Sequence, residues 1–216
     1  MNSRNTLKLA FGQTSAQDTA GKWGSPQKST DQIDFESVLR LTLGFVVDPF
    51  ASAQVQSQFW DKVDTLPDKF LNPLELNEGL GVARQVVERE KTELVSRLGF
   101  GLKQRLDVRT SDEMSNYGGL TFVTDFTTPL APEKITYTSK LTLFQAVFFS
   151  GASALVGKPN ADYWKALDVG WDNTIAASIT KYVMVNLTAQ LLYDKEIDAK
   201  LRLKETLALG LTYKFI

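Results

Sequence analysis

The stretch 201–215 alternates more strictly than any other part of the chain. Leu201, Leu203, Leu207, Leu209, Leu211, Tyr213 and Phe215 share one parity, broken only by Glu205. Arg202, Lys204, Thr206, Ala208, Gly210, Thr212 and Lys214 share the other. A period of two puts these sets on opposite faces of an extended strand. One face is apolar along its length; the other is charged, small or hydroxylated.

The same alternation recurs along the whole chain and predicts about ten strands. They fall near 7–12, 33–47, 51–59, 74–87, 94–108, 118–127, 135–149, 163–178, 183–193 and 201–215. The second sets Ile33, Phe35, Leu39, Leu41, Leu43, Phe45 and Val47 against Asp34, Glu36, Arg40 and Thr42. The fifth sets Leu94, Leu98, Phe100 and Leu102 against Arg97, Gly99, Gly101, Lys103 and Arg105. The fourth is the weakest, because Glu78 and Arg84 fall among its apolar positions.

The connections sort by length. Short turns are expected at 48–49, 89–91, 129–133 and 179–180, and longer polar loops at 14–32, 60–73, 109–117, 150–162 and 194–200. Strict alternation of short and long is the habit of outer-membrane barrels, with tight periplasmic turns and long outer loops. The expected fold is all-β: an antiparallel up-and-down transmembrane β-barrel of about ten strands, forming one domain over 1–216. The closing pattern of Gly210, Tyr213 and Phe215 is typical of the last strand of such barrels, where it is the assembly signal for the barrel-assembly machinery.

Composition narrows the function. Lys+Arg 24 against Asp+Glu 25 leaves a net charge of −1, which argues against a nucleic-acid partner. The chain has no Cys and no His, which removes disulfides, thiol chemistry and the commonest catalytic base and metal ligand. No apolar run reaches the roughly 18 residues of a membrane-spanning helix, but barrel strands alternate and escape that test. Met1, Asn2, Ser3 and Arg4 lead directly into strand-like sequence without an export signal. An outer-membrane protein needs one, so a missing N-terminal piece is expected.

The two faces admit two assignments. In a membrane barrel the apolar set meets lipid and the polar set lines the lumen. In a soluble lipocalin-like binder the apolar set faces inward around a ligand. Long runs of outward Leu, Val and Phe favour the membrane. So do aromatics near strand ends (Tyr137, Phe149, Tyr163, Tyr193, Tyr213 and Phe215), where an interfacial girdle belongs.

The expected lumen then carries Lys8, Arg40, Arg97, Lys103, Arg105, Lys140, Arg202 and Lys204, with Asp34, Glu36, Asp107, Asp125, Asp168 and Asp172. These charges form either a constriction that selects a solute or a network of ion pairs filling a narrow barrel. Arg97, Lys103 and Arg105 are the expected basic patch. No Ser–His or Cys–His pair can be built. The same-face acids Asp34/Glu36 and Asp168/Asp172 read as lumen lining, and the loop Asp194, Lys195, Glu196, Ile197, Asp198 as a solvated turn rather than a Ca²⁺ site. No catalytic residue, cofactor or metal is expected.

The stretches Tyr163-Trp164-Lys165-Ala166-Leu167-Asp168, Trp171-Asp172-Asn173-Thr174, Leu192-Tyr193-Asp194-Lys195-Glu196-Ile197 and Lys204-Glu205-Thr206-Leu207-Ala208-Leu209-Gly210-Leu211-Thr212-Tyr213-Lys214-Phe215 resemble an uncharacterised outer-membrane β-barrel family common in Bacteroidota. The resemblance is clearest over 135–216. It implies an export signal and a further hairpin ahead of this chain, hence about twelve strands in the intact protein, an even number as in bacterial barrels. It implies location in the cell envelope and no catalytic residue, since that family has none assigned. The expectation is a non-enzymatic, porin-like barrel in contact with outer-membrane lipid, acting as a narrow channel or solute-binding barrel. The alternatives are a structural or interaction barrel with a salt-bridged, filled lumen, a soluble lipocalin-like binder and, last, an outer-membrane enzyme.

Overall fold

The computed structural model describes residues 1–62, 66–110, 113–132, 134–180 and 183–211. The ten strands are β1 (Asn2–Thr14), β2 (Gln27–Arg40), β3 (Asp48–Ser57), β4 (Leu74–Arg89), β5 (Thr92–Leu106), β6 (Ser115–Ala131), β7 (Ile135–Phe149), β8 (Leu167–Ser178), β9 (Val183–Asp194) and β10 (Asp198–Leu211). Each pairs antiparallel with its neighbours in sequence, in a single sheet ordered β1 to β10. Helix among the described residues amounts to two 3₁₀ turns, Ala152–Leu155 and Tyr163–Lys165.

The sheet is strongly curled. Lys140 on β7 reaches Glu36 on β2 at 2.8 Å, and Arg4 on β1 reaches Asp125 on β6 at 3.6 Å. In a flat sheet, strands five places apart would lie about 24 Å from each other. The curl does not close into a barrel. Among the described residues β1 pairs only with β2 and β10 only with β9, so each presents one open edge.

Glycines mark where the concave face is tightest. Gly81 and Gly99 face each other across β4 and β5, with Gly79 opposite Gly101. A Cβ on Gly81 would sit 2.2 Å from the Leu98 carbonyl oxygen, and one on Gly99 2.2 Å from that of Leu80. No L side chain fits at that separation, so the bend requires glycine there.

Polarity is inverted relative to a water-soluble core. Three apolar residues are buried among the described ones, Phe50, Ala83 and Ala146, against five polar ones, Asp34, Asp48, Asn72, Arg97 and Asp194. Phe100 is 68% exposed, Leu207 74% and Leu209 75%, all on the convex face. The apolar parity of nearly every strand therefore points outward and the charged parity inward.

Several boundaries differ from the sequence expectation. The strand expected over 33–47 ends at Arg40, and residues 41–47 form the turn, while Asp48 and Pro49 already belong to β3. Gly44 takes φ +77° in this turn, which is closed by the Leu43 amide donating to Asp48 Oδ1 (3.1 Å) and the Leu41 amide donating to the Pro49 carbonyl (3.0 Å). Apolar alternation runs through the turn, so periodicity alone overruns it. Residues 163–165 form a 3₁₀ turn ahead of β8, and the loop expected over 194–200 shrinks to 195–197. Alternation of long and short connections thus holds for the first four expected long loops and fails at the fifth. Gly210 pairs with Met184 on β9; Tyr213 and Phe215 lie outside the described residues.

Gly99→Val is expected to destabilise the protein by about 1–3 kcal/mol through forced separation of β4 and β5. Gly170→Val, where a Cβ would meet only Thr142 Cβ at 4.0 Å, is expected to be close to neutral. Urea unfolding midpoints of the two variants check the contrast.

Candidate functional site: a charged chamber

Inward residues of the strands enclose a cavity of about 860 Å³ opening toward the long loops, and a smaller one of about 60 Å³ toward the short turns. Arg97 and Phe50 line both cavities and so form the partition. The Arg97 guanidinium stands 5.9 Å from the centre of the Phe50 ring.

The partition is an ion-pair network spanning the interior. Arg97, 5% exposed, donates to Asp125 at 2.7 Å and lies 3.6 Å from Glu36. Lys140 donates to the other Glu36 oxygen at 2.8 Å, and Arg4 approaches Asp125 at 3.6 Å. Three cations and two carboxylates thus connect β1, β2, β5, β6 and β7. Four of these residues come from the polar parity that the sequence assigned to the lumen; Arg4 was not among them.

The chamber walls carry further pairs. Lys103 stands 3.9 Å from both Asp168 and Asp194, with its ammonium 5.9 Å from the Tyr117 ring centre. Tyr117 OH donates to Glu196 at 3.2 Å. Arg105 pairs with Glu75 at 3.0 Å and Asp107 at 3.4 Å. Asp34 accepts the amides of Gln54 (2.9 Å) and Gln56 (3.3 Å), and Asp172 that of Gln190 (2.7 Å). Arg40 lies apart, at the short-turn end, 3.7 Å from Asp48 and donating to Gln85 at 3.1 Å.

The expected basic patch of Arg97, Lys103 and Arg105 is therefore neutralised at every member by a cross-strand acid. Three other cations lining the chamber differ: Lys8, Arg202 and Lys204. Among the described residues no acid lies within ion-pair distance of them, and the buried Nε and Nη2 of Arg202 have no hydrogen-bond partner.

The aromatic lining also departs from expectation. A bulge between Gly118 and Gly119 sets Phe148 and Ala146 opposite them and leaves Val147 extra. One added residue inverts parity, so Phe149 pairs with inward Tyr117 and stacks on it at 4.3 Å between ring centres. It belongs to the chamber mouth rather than to an outer girdle. Tyr137, by contrast, faces outward and meets Phe126 edge-on at 6.0 Å.

Above the chamber, two of the long loops are tied by a knot that periodicity did not reveal. Asn72, 4% exposed, donates to Asp61 (2.8 Å) and Asp107 (3.2 Å) and accepts the Val108 amide (2.9 Å). Arg109 donates to the Asp61 carboxylate and, at 2.7 Å, to its carbonyl. Burial opposes ionisation of both aspartates. For Asp61 the Asn72 amide and Arg109 outweigh it, and for Asp107 the Arg109 amide, Asn72 and Arg105 do, so both carboxyls sit below the ordinary value of 3.8. Burial pushes the Glu196 carboxyl up, with nearby Asp194 adding to it against the opposing Tyr117 hydroxyl. Among the described residues no group of three or more potential ligands could hold a metal ion.

Removing Arg97 leaves two part-buried carboxylates short of a partner. Arg97→Met is expected to cost about 3–5 kcal/mol in urea unfolding, while Arg105→Met at the half-open wall should cost about 1 kcal/mol or less. The loop knot is expected to be intact above pH 3.8 and to open as pH falls through the lowered aspartate values. Amide exchange at Val108, whose N–H donates to Asn72, reads this directly, and Arg109→Gln, which takes the guanidinium from Asp61, should move the loss of protection to higher pH. No protein-family model, curated protein or solved structure matches the chain.

Proposed function

We propose that the chain is a non-enzymatic outer-membrane β-barrel protein whose lumen is a solute-binding chamber rather than an open channel. The observation that carries this is the distribution of polarity. A convex face dominated by exposed Leu, Phe and Val from most of the strands has no stable place in water, and a barrel in lipid requires it. A lipocalin-like binder would need the apolar set inward, around its ligand, which is the opposite arrangement.

A spanning sheet cannot leave backbone edges in hydrocarbon. β1 and β10, first and last of ten alternating strands, run antiparallel, so their free edges are compatible with direct pairing. Such closure in the membrane is part of the proposal, as are contact with outer-membrane lipid, delivery by the barrel-assembly machinery through the last strand, and kinship with the Bacteroidota family noted above. The filled structural barrel is the second reading. The transverse network around Arg97 favours it, while the 860 Å³ left above that network favours the chamber.

Two experiments test this. Folded protein recovered from outer membranes should migrate faster on a gel unboiled than boiled. Phe100→Arg should cost roughly 2–4 kcal/mol in a bilayer, against about 0.5 kcal/mol or less for an exposed site in water. A soluble product with a neutral Phe100→Arg would overturn the membrane assignment. In planar bilayers the protein should show no sustained conductance, and removing the partition with Phe50→Ala plus Arg97→Ala should open it. A steady ohmic current from the unaltered protein would overturn the closed chamber.

A further inference from the structure

The free cations of the chamber all lie on its two edge strands. Lys8 lies on β1, and Arg202 and Lys204 lie on β10, the two strands that border the seam of the sheet. The inward positions of β1 are Asn2, Arg4, Thr6, Lys8, Ala10 and Gly12, and those of β10 from Arg202 onward are Arg202, Lys204, Thr206, Ala208 and Gly210. Neither set contains an acid. Among the described residues every carboxylate lining the chamber comes from the strands between, β2 to β9.

The nearest acids are already engaged. Asp34 lies opposite Lys8 in register but takes two glutamine amides. Asp172 takes the amide of Gln190, the residue opposite Lys204. Arg202 lies opposite Leu192, which offers no side-chain acceptor. Two guanidinium nitrogens of Arg202 are thereby removed from solvent without a hydrogen-bond acceptor. Buried donors are almost always satisfied in native proteins, by protein, water or a bound ion. An arginine fork suits the paired oxygens of a phosphate, with lysines supplying point charges beside it.

We propose that the lumen face of the seam is an anion site, in which Arg202, Lys204 and Lys8 hold the phosphate group of a bound molecule. This deepens the chamber reading and rests on it. The phosphate reaches the site either on a free solute through the chamber mouth or on a lipid headgroup through the seam.

The test is calorimetric titration of the folded protein in a phosphate-free detergent, first with inorganic phosphate and then with mixed micelles containing phosphatidylglycerol. Saturable binding of either probe is expected, weakened roughly tenfold or more by Arg202→Gln with Lys204→Gln. Lys134→Gln, which removes an exposed charge at the short-turn end, should leave affinity unchanged. Should the double variant fail to fold, Lys8→Gln and Lys204→Gln alter exposed side chains and should each weaken binding several-fold. Binding of phosphatidylglycerol alone assigns the phosphate to lipid, and binding of inorganic phosphate assigns it to a solute. No binding of either probe, or binding indifferent to these substitutions, overturns the site. Conductance in the unaltered protein with phosphate binding intact would instead remove the closed chamber and leave the site standing.

Discussion

Burial of the Arg97 guanidinium is the constraint around which the interior is organised. A charge this deep is tolerated only with partners, and the partners come from strands far apart in the sheet: Asp125 on β6 and Glu36 on β2, the latter shared with Lys140 on β7. Meeting them forces the sheet to curl, and the glycines of β4 and β5 permit the curl by leaving the concave face without side chains. The same network then divides the interior. What would otherwise be one lumen becomes a chamber above and a small void below.

Two of the long loops are joined by a second, separate network. Asn72 uses both ends of its amide and its burial to hold Asp61, Asp107 and the Val108 backbone together, while Arg109 ties the same loops from the other side. The wall pairs of the chamber, Lys103 with Asp168 and Asp194, and Arg105 with Glu75, are longer and more exposed than the Arg97–Asp125 and Lys140–Glu36 pairs of the partition.

Much of the fold was legible because alternation is a local signal with one physical cause. Residues 135–149 became β7 as expected, and 183–193 became β9 within one residue. Where another cause competed, alternation failed. Residues 41–47 keep the period while Gly44 and Asp48 turn the chain. The extra residue at Val147 moves Phe149 to the inner face, and nothing in a single strand announces a bulge set by its neighbour. The lumen charges were found by parity, but their partners were not, since parity gives the face and not the register across five strands. That is why Arg97, Lys103 and Arg105 looked like a basic patch and are paired, while Lys8, Arg202 and Lys204 on the edge strands have no ion-pair partner among the described residues. The Asn72 knot, built from irregular backbone, left no periodic trace.

The central claim is that the apolar parity faces lipid. The chain has no cysteine, so single nitroxide labels can be placed at successive positions 185–190 of β9 and the protein reconstituted in bilayers. Collision rates with oxygen, which concentrates in lipid, should peak at 185, 187 and 189, and those with a water-soluble nickel chelate at 188 and 190, which line the chamber. Uniform accessibility to the chelate, or oxygen maxima at the even positions, would contradict the account.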